Sequence, residues 1–425
     1  MVSIKSIMVR GLFLLILSVN LLFIYSQDNF GEDKEALVNL INSPKTKQLL
    51  ATEYQFPPSV VFDMGTLALD RFRSNIVVAT LDFEHTPSGK HGTASIAHKK
   101  TPSGWEIIYS SYWLWGTVVS GTISSDTTWN EAGSPYYVTD DISIAEGATL
   151  TITPNTVVRI RKFDTTNKIV IAVDGTLNCQ DAVFTTSCDF ENYDLSQLTW
   201  NDADWDGISF WITSAGAILG SLIEYAGNGS SITSESSVNI SNNTIKRCVT
   251  GVGLDTYVSA GIHIVEDNLI EDCGDGVECL YQTSSTSISG NTIIMGSRWS
   301  GSNGIFCFDS PVNITSNVIS NYDFGIKIAL CSPNITSNSI QNNTYGIDSY
   351  AGVPYINNNN IEGNSTYGLY HDGLGLIVYA ENNWWGDASG PYHPALNPSG
   401  LGNEVSDDVD FDPWMTSAVT MTFSN

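Results

Sequence analysis

The sequence predicts a mainly β protein, a parallel β-helix solenoid preceded by a small α+β module. Three observations carry this. A pattern of the form apolar-x-x-Asn-x-apolar recurs down the chain. A Gly followed by an apolar residue recurs in step with it. Between these anchors the short β-branched stretches are separated by Asn, Gly and Ser turns, with no helical periodicity.

Taking the elements in order, residues 1–26 read as a targeting segment. Lys5 and Arg10 form a positive start, and Gly11–Tyr25 is an apolar run of 15 residues, short for a membrane span. The expectation is a signal peptide cut near Ser26, an exported mature chain and no further membrane span.

Residues 27–118 lack the repeat. "KEALVNLINS" (Lys34–Ser43) puts Ala36, Leu37, Leu40 and Ile41 on one helical face. "NIVVATLDFEH", "GTASIAHKK" and "WEIIYSSYWLW" read as three strands, separated by the turns "TPSGKH" and "TPSG", as in an antiparallel meander. His85, His91 and His98 fall in this meander. A zinc or copper site there lacks a completing Cys or carboxylate pair apart from Glu84, so surface histidines are the expectation.

Residues 119–386 form the expected solenoid. The pattern is "ISNNTI", "VEDNLI", "ISGNTI", "ITSNVI", "ITSNSI", "INNNNI" and "YAENNW". Its aligned Asn positions are 243, 268, 291, 317, 338, 359 and 382. The second anchor is Gly251, Gly276, Gly304, Gly325, Gly346 and Gly368; Gly304 is delayed by the insertion "MGSRWSGSN". A period of 20–30 residues signals a repeat architecture, too short for a propeller blade and without a leucine-rich skeleton. Stacking such coils at ~4.8 Å places each position on its own equivalent. Asn suits left-handed turn geometry and forms ladders along the axis, so these residues are read as architecture. The chain has seven cysteines. Cys248 and Cys273 share one register position, Cys279 and Cys307 another. They are expected as reduced core residues, with an axial disulfide as the alternative.

The solenoid starts with "VTDDISIAEGATLTITPNTVVRI", "IVIAVDGTLNC" and "WDGISFW", and ends with "NNWWGDASGPYHPALNPSGLGNEVSDDVDFDPWM". These phrases resemble secreted right-handed parallel β-helix repeat proteins of the NosD-like type, whose repeats are grouped as carbohydrate-binding and sugar-hydrolase repeats. The resemblance covers Val138 to Met415. It implies a right-handed parallel β-helix solenoid, with residues 387–425 as a C-terminal cap. It also raises polysaccharide chemistry, which fold alone does not license. "CGDGVEC" and "AGIHI" faintly resemble signatures of pectin-degrading hydrolases, but the carboxylate cluster and basic motif of those enzymes are not completed.

With 45 acidic against 18 basic residues, the net charge of −27 argues against nucleic acid or an anionic membrane surface as partner. Strand alternation after each anchor Gly sends the second and fourth residues outward. The outward set is Asp255, Glu278, Phe306, Phe308, Lys327, Asp348, Tyr350, Tyr370 and Asp372, with Arg298 and Trp299 on the inserted loop overhanging it. Aromatics among carboxylates suit a polysaccharide: rings stack on sugars and carboxylates bind their hydroxyls. The leading expectation is thus a secreted or cell-surface polysaccharide-binding protein without catalysis. The alternatives are a polysaccharide lyase or hydrolase using Asp348 and Asp372, and a structural spacer. "NDADWDG" aligns Asp202, Asp204 and Asp206 as a Ca²⁺ loop, but Thr213 stands where the closing Glu belongs; the acidic "SDDVDFD" is a second Ca²⁺ candidate. Sequons fall at Asn228, Asn239, Asn242, Asn313, Asn334, Asn342 and Asn364.

Overall fold

The structure, a computed structural model, describes residues 32–44, 46, 60–73, 76–85, 90–102, 104–114, 116–160, 168–186, 205–227, 229–255, 262–282, 286–296, 300–310, 312–373 and 375–420. The expected signal peptide (1–26), Asp202, Asp204, Arg298, Trp299, Cys188 and the Asn228 sequon lie outside these residues. Two compact units divide the chain, Met1–Trp115 and Gly116–Asn425.

In the first unit a helix spans Glu32–Asn42. Leu37 and Ile41 are buried, while Ala36 is exposed and Leu40 half-buried, so the buried stripe is narrower than the four-residue face predicted. Four antiparallel strands follow in the order β1 (Val60–Arg73), β2 (Ile76–His85), β3 (Lys90–Thr101) and β4 (Gly104–Leu114). The meander of β2, β3 and β4 was legible; β1 was not. Its charges (Asp63, Asp70, Arg71, Arg73) blur the alternation, and its pairing with β2 shifts register between Asp63 and Ala68. His98 is buried in this sheet rather than on its surface.

The second unit is the right-handed parallel β-helix. Its first strand, Thr117–Ile123, pairs in parallel with Tyr136–Ile144. Each full coil carries three short strands, and each stacks on its equivalent in the next coil. The strand before the Asn forms a row of twelve, from Thr127–Trp129 to Val409–Asp410. Its inward column runs Ile218, Ile240, Val265, Ile288, Ile314, Ile335 and Ile356, all fully buried. The strand after the Asn adds Ile223, Ile245, Ile270, Ile293, Ile319, Ile340 and Ile361, equally buried. Each such side chain contributes roughly 1.5–3 kcal/mol when removed from water, and it meets only its neighbouring coils.

The Asn side chains form a continuous ladder. Asn317, for example, accepts from the Asn291 backbone N–H (2.9 Å) and from Asn291 Nδ2 (3.0 Å). It donates to the Ile288 carbonyl (2.8 Å) and to Asn338 Oδ1 (3.0 Å). Two details differ from expectation. The left-handed residue is not the ladder Asn but the one before it: Asn242 (φ 59°), Ser316 (φ 58°) and Asn358 (φ 57°) are examples. That residue makes the turn, which leaves the Asn free to aim its amide inward. The last member is Asn383, not Asn382. Ala380 fills the apolar position three residues ahead of it, Asn382 takes the turn at φ 56°, and Asn383 receives the Asn359 N–H at 2.9 Å.

The anchor glycines have a steric cause. A Cβ on Gly276 would sit 2.4 Å from the Gly304 carbonyl oxygen, and one on Gly346 would sit 2.6 Å from that of Gly368. The coils approach too closely there for any side chain. Cys179, Cys248, Cys273, Cys279 and Cys307 are buried free thiols and Cys331 is half-buried and free. Cys279 and Cys307 are direct partners on adjacent coils.

Candidate functional site

The strand that follows each second anchor builds one flat parallel sheet face. Its six strands are Thr250–Asp255, Asp275–Leu280, Asn303–Phe308, Phe324–Ala329, Tyr345–Tyr350 and Tyr367–Asp372. Inward, Val252, Val277, Ile305, Ile326, Ile347 and Leu369 stack in one fully buried column. Because side chains alternate, the next residue of every strand faces out.

That outward column reads Glu278, Phe306, Lys327, Asp348 and Tyr370, all half-buried against one another. Two residues further on, a parallel column reads Asp255, Leu280, Phe308, Ala329, Tyr350 and Asp372. Tyr350 and Asp372 are exposed. The nine residues singled out from the sequence therefore lie on one face. Asp348 and Asp372 occupy diagonal positions on adjacent strands, ~8 Å apart by strand spacing and rise.

The sequence reading missed a third column, formed by the residue before each anchor Gly. It reads Asp275, Asn303, Phe324, Tyr345 and Tyr367. Its rings stack along the axis: Phe324 to Tyr345 at 5.3 Å and Tyr345 to Tyr367 at 6.0 Å between centroids. Tyr370 leans onto both neighbours, 6.1 Å from Tyr345 and 5.3 Å from Tyr367. The signal was present in "FGI", "YGI" and "YGL", where an aromatic precedes Gly three times in succession.

The face is acidic and partly desolvated. Burial pushes the Glu278 carboxyl above its ordinary value, and Asp275 and Asp255 add to the effect. Burial likewise raises Asp348; Lys327 opposes it and Asp372 reinforces it. Asp275 is raised by burial although Asn303 donates to it from both Nδ2 and its backbone N–H, each at 2.8 Å. Lys327 is the one cation among the described residues of these columns, and its ammonium lies 4.3 Å from the Phe324 ring centre.

At its C-terminal end the face meets the cap in a cleft of about 310 Å³. Tyr367, Tyr370, His371, Asp372, Glu404 and Asp407 contribute to its wall. His371 ends the inward column that begins Leu254, Cys279 and Cys307. Its Nε2 lies 3.1 Å from the Leu376 carbonyl, while its buried Nδ1 has no partner among the described residues. His393 Nδ1 accepts the Ala395 and Leu396 N–H groups at 3.2 and 3.0 Å, which leaves the proton on Nε2, 3.3 Å from Asp407 Oδ1. The Tyr367 hydroxyl is raised by burial first and by Glu404 second.

For the Ca²⁺ candidates, Asp206 is the described member of its loop, its carboxyl raised by burial and opposed by Lys168. In "SDDVDFD", Ser406 receives the His371 N–H and Asp407 faces His393, so this segment seals the last coil. Among the described residues no three His, Cys, Asp or Glu side chains converge on a point that could hold a metal ion. Of the sequons, Asn364 is buried and bonded to Asn343 and Asn403, whereas Asn242 and Asn342 are exposed.

The chain matches none of the curated proteins compared with it. Among solved structures, the A-module of the Azotobacter vinelandii mannuronan C-5 epimerase AlgE6 is similar at 11% identity. The match has a TM-score of 0.32 and covers 70% of this chain and 91% of that one. A family model described as "Periplasmic copper-binding protein (NosD)" matches residues 119–390, well over half of the sequence and nearly all of the solenoid. The chain belongs to the NosD family.

Proposed function

We propose that this protein works outside the cytoplasm as a binding protein that recognises a polysaccharide along its acidic–aromatic face. One observation carries the reading: three adjacent outward columns set stacked rings beside half-buried carboxylates on a rigid sheet. Rings 5.3 and 6.0 Å apart offer a platform for a sugar chain, and fixed carboxylates accept from sugar hydroxyls. The location is supported by the apolar leader of residues 1–26 and by the periplasmic description of the family. Titration calorimetry across a panel of polysaccharides tests it. The wild type should bind at least one, and Tyr370→Ala should weaken that binding roughly ten-fold with little change in melting temperature. No binding across the panel refutes the reading.

A second reading, catalysis, draws on the raised Asp348 carboxyl flanked by Lys327 and diagonal to Asp372. It requires reducing-end release or a new unsaturated product, either of them abolished in Asp348→Asn.

The family description also names copper. The described residues do not fit a copper centre. Three of the four imidazole nitrogens of His371 and His393 are already engaged, and the two unpartnered ones of His263 are fully buried, with no three His, Cys, Asp or Glu side chains converging there among the described residues. Burial pushes the Cys179 thiol up to about 12 and the Cys331 thiol to about 11, so thiolate is scarce at neutral pH.

A further inference from the structure

We infer that Cys248 with Cys273, and Cys279 with Cys307, are two disulfide-forming pairs, which staple one coil of the solenoid to both of its neighbours outside the cytoplasm. The structure holds both pairs as thiols; oxidation joins them. The staple goes beyond the polysaccharide reading and does not depend on it.

Register sets the pairs. Cys279 and Cys307 are direct partners on adjacent parallel strands. Their Cα atoms therefore stand ~4.8 Å apart, inside the range a disulfide spans. Cys248 and Cys273 each lie three residues beyond the stacked Ile245 and Ile270, and the Gly274 N–H bonds the Cys248 carbonyl across the same step. Within each pair the two thiols are hydrogen-bonded to each other. All four side chains are buried. Neighbouring coils put no sulfur at these positions: Leu254 and Ile328 flank the second pair, and Ala226 precedes the first. Cysteine used only as a small hydrophobe has no cause to come in adjacent twos. Cys179 and Cys331 are different. Cys179 stacks between Ile152 and Ile218, and the Cys331 thiol donates to the Cys307 carbonyl at 3.6 Å.

The stapled coil lies where the repeat is longest. The ladder steps from Asn243 to Asn268, Asn291 and Asn317 span 25, 23 and 26 residues, against 21 for each of the next two. Longer connections leave the unfolded chain more freedom, and a crosslink across them removes it. The same coil carries Asp275 and Glu278, so the two cystines fix that end of the acidic face from both sides. The oxidant is a disulfide, either a small molecule or an exported thiol–disulfide oxidoreductase. One cysteine thiolate attacks it and expels a thiol; the second thiolate attacks the mixed disulfide and expels the other. Two protons and two electrons pass from each pair to the oxidant, which leaves as two thiols. Burial and the Cys248 thiol hold Cys273 well above the ordinary thiol value, and the Cys279 thiol and burial do the same for Cys307. Exchange therefore belongs to folding, before the coils close, and the closed cystines are shielded afterwards. The apolar leader and the periplasmic description of the family favour an oxidising compartment.

The test is mass spectrometry of the full chain exported to a bacterial periplasm, its thiols alkylated in denaturant at harvest, with and without prior reduction. Of the seven cysteines, Cys179, Cys188 and Cys331 should be alkylated without reduction and all seven after it. Acidic residues separate Cys248, Cys273, Cys279 and Cys307 from one another. Peptides cut at those residues should therefore be linked Cys248 to Cys273 and Cys279 to Cys307. Seven alkylated thiols without reduction, or cystines that join other partners, overturn the inference. Thermal melting then tests the staple. A phosphine reductant should lower the melting temperature of the wild type by roughly 5–10 °C. The double variants C248A/C273A and C279A/C307A should each keep only the part of that shift that belongs to the remaining cystine. A melting temperature indifferent to reductant in a protein with both cystines mapped overturns the stapling role.

Discussion

Ile347 and Tyr370 lie one coil apart, one inward and one outward. Replacing Ile347 with Asp strands a charge in a dry column and should cost more than ~4 kcal/mol, seen as a large loss of denaturation midpoint or as failure to fold. Tyr370→Ala loses edge contacts with Tyr345 and Tyr367 and should cost about 1 kcal/mol. Comparable costs for the two would mean that the face is not a surface. A second single-residue case is His263. It is fully buried behind the row of twelve, and neither ring nitrogen has a partner among the described residues. Burial lowers its value from the ordinary 6.5 to about 4. The unfolded chain therefore binds the proton first as pH falls. The stability tied to His263 is complete above about pH 6.5 and drains away toward pH 4, by an amount on the order of 3 kcal/mol. Unfolding free energies measured from pH 7.5 to 4.5 should show that slope, and His263→Gln should flatten it. An unchanged slope in the variant would place the proton uptake elsewhere. At this scale the sequence was informative wherever period-2 alternation met a fixed anchor, as for Phe306, Lys327, Asp348 and Tyr370. His263 was opaque, because nothing local separates an inward His from an outward one at a strand start.

The Asn ladder is the element on which each coil turns, and its register makes a sharp prediction at the C-terminal end. Asn383 accepts from the Asn359 N–H and Nδ2 and donates to the Ile356 and Ala380 carbonyls. Asn383→Ala leaves several buried groups without partners and should cost about 3 kcal/mol or more. Asn382 is exposed at φ 56°, so Asn382→Gly relieves a left-handed turn and should be neutral or slightly stabilising. Urea denaturation of both variants decides it. The reverse ranking would restore Asn382 as the ladder member. The slip had a definite origin: "ENN" offers two asparagines, and the apolar residue three places ahead is the small Ala380 rather than Ile. A second, shorter ladder escaped notice altogether. Tyr322 donates its N–H to Asn343, Asn343 donates to Asn364, and Asn364 to Asn403. Its last step spans 39 residues into the cap, a spacing that no repeat period reveals. The cleft was hidden for the same reason, since Glu404 and Asp407 reach Tyr367 and His371 only through the fold of the cap.

For the solenoid as a whole, stability is a sum over coils and their contacts with nearest neighbours, so an entire coil should be removable where the register permits it. Asn317 and Asn338 are ladder neighbours one coil apart, 21 residues in sequence. Deleting 318–338 joins Asn317 to Ser339, and the local sequence becomes "VNITSNSIQNNTYGIDS", whose Asn, Ile and Gly positions all keep their places. The three inward columns close up: Ile314 onto Ile356, Ile319 is replaced by Ile340, and Ile305 meets Ile347. The shortened protein should fold with an unchanged circular-dichroism signature, a modestly lower melting temperature and a solenoid about 4.8 Å shorter by small-angle scattering. Deleting 318–337 instead keeps nearly the same composition but shifts every later side chain to the opposite face at the junction, and it should aggregate or unfold. The 21-residue deletion also removes Phe324 and Lys327 from the platform while leaving Tyr367, Tyr370 and the cap in place. Binding of a long polysaccharide should weaken with the shortened platform, and undiminished binding in a folded deletion protein would show that the removed coil does not contact the polymer.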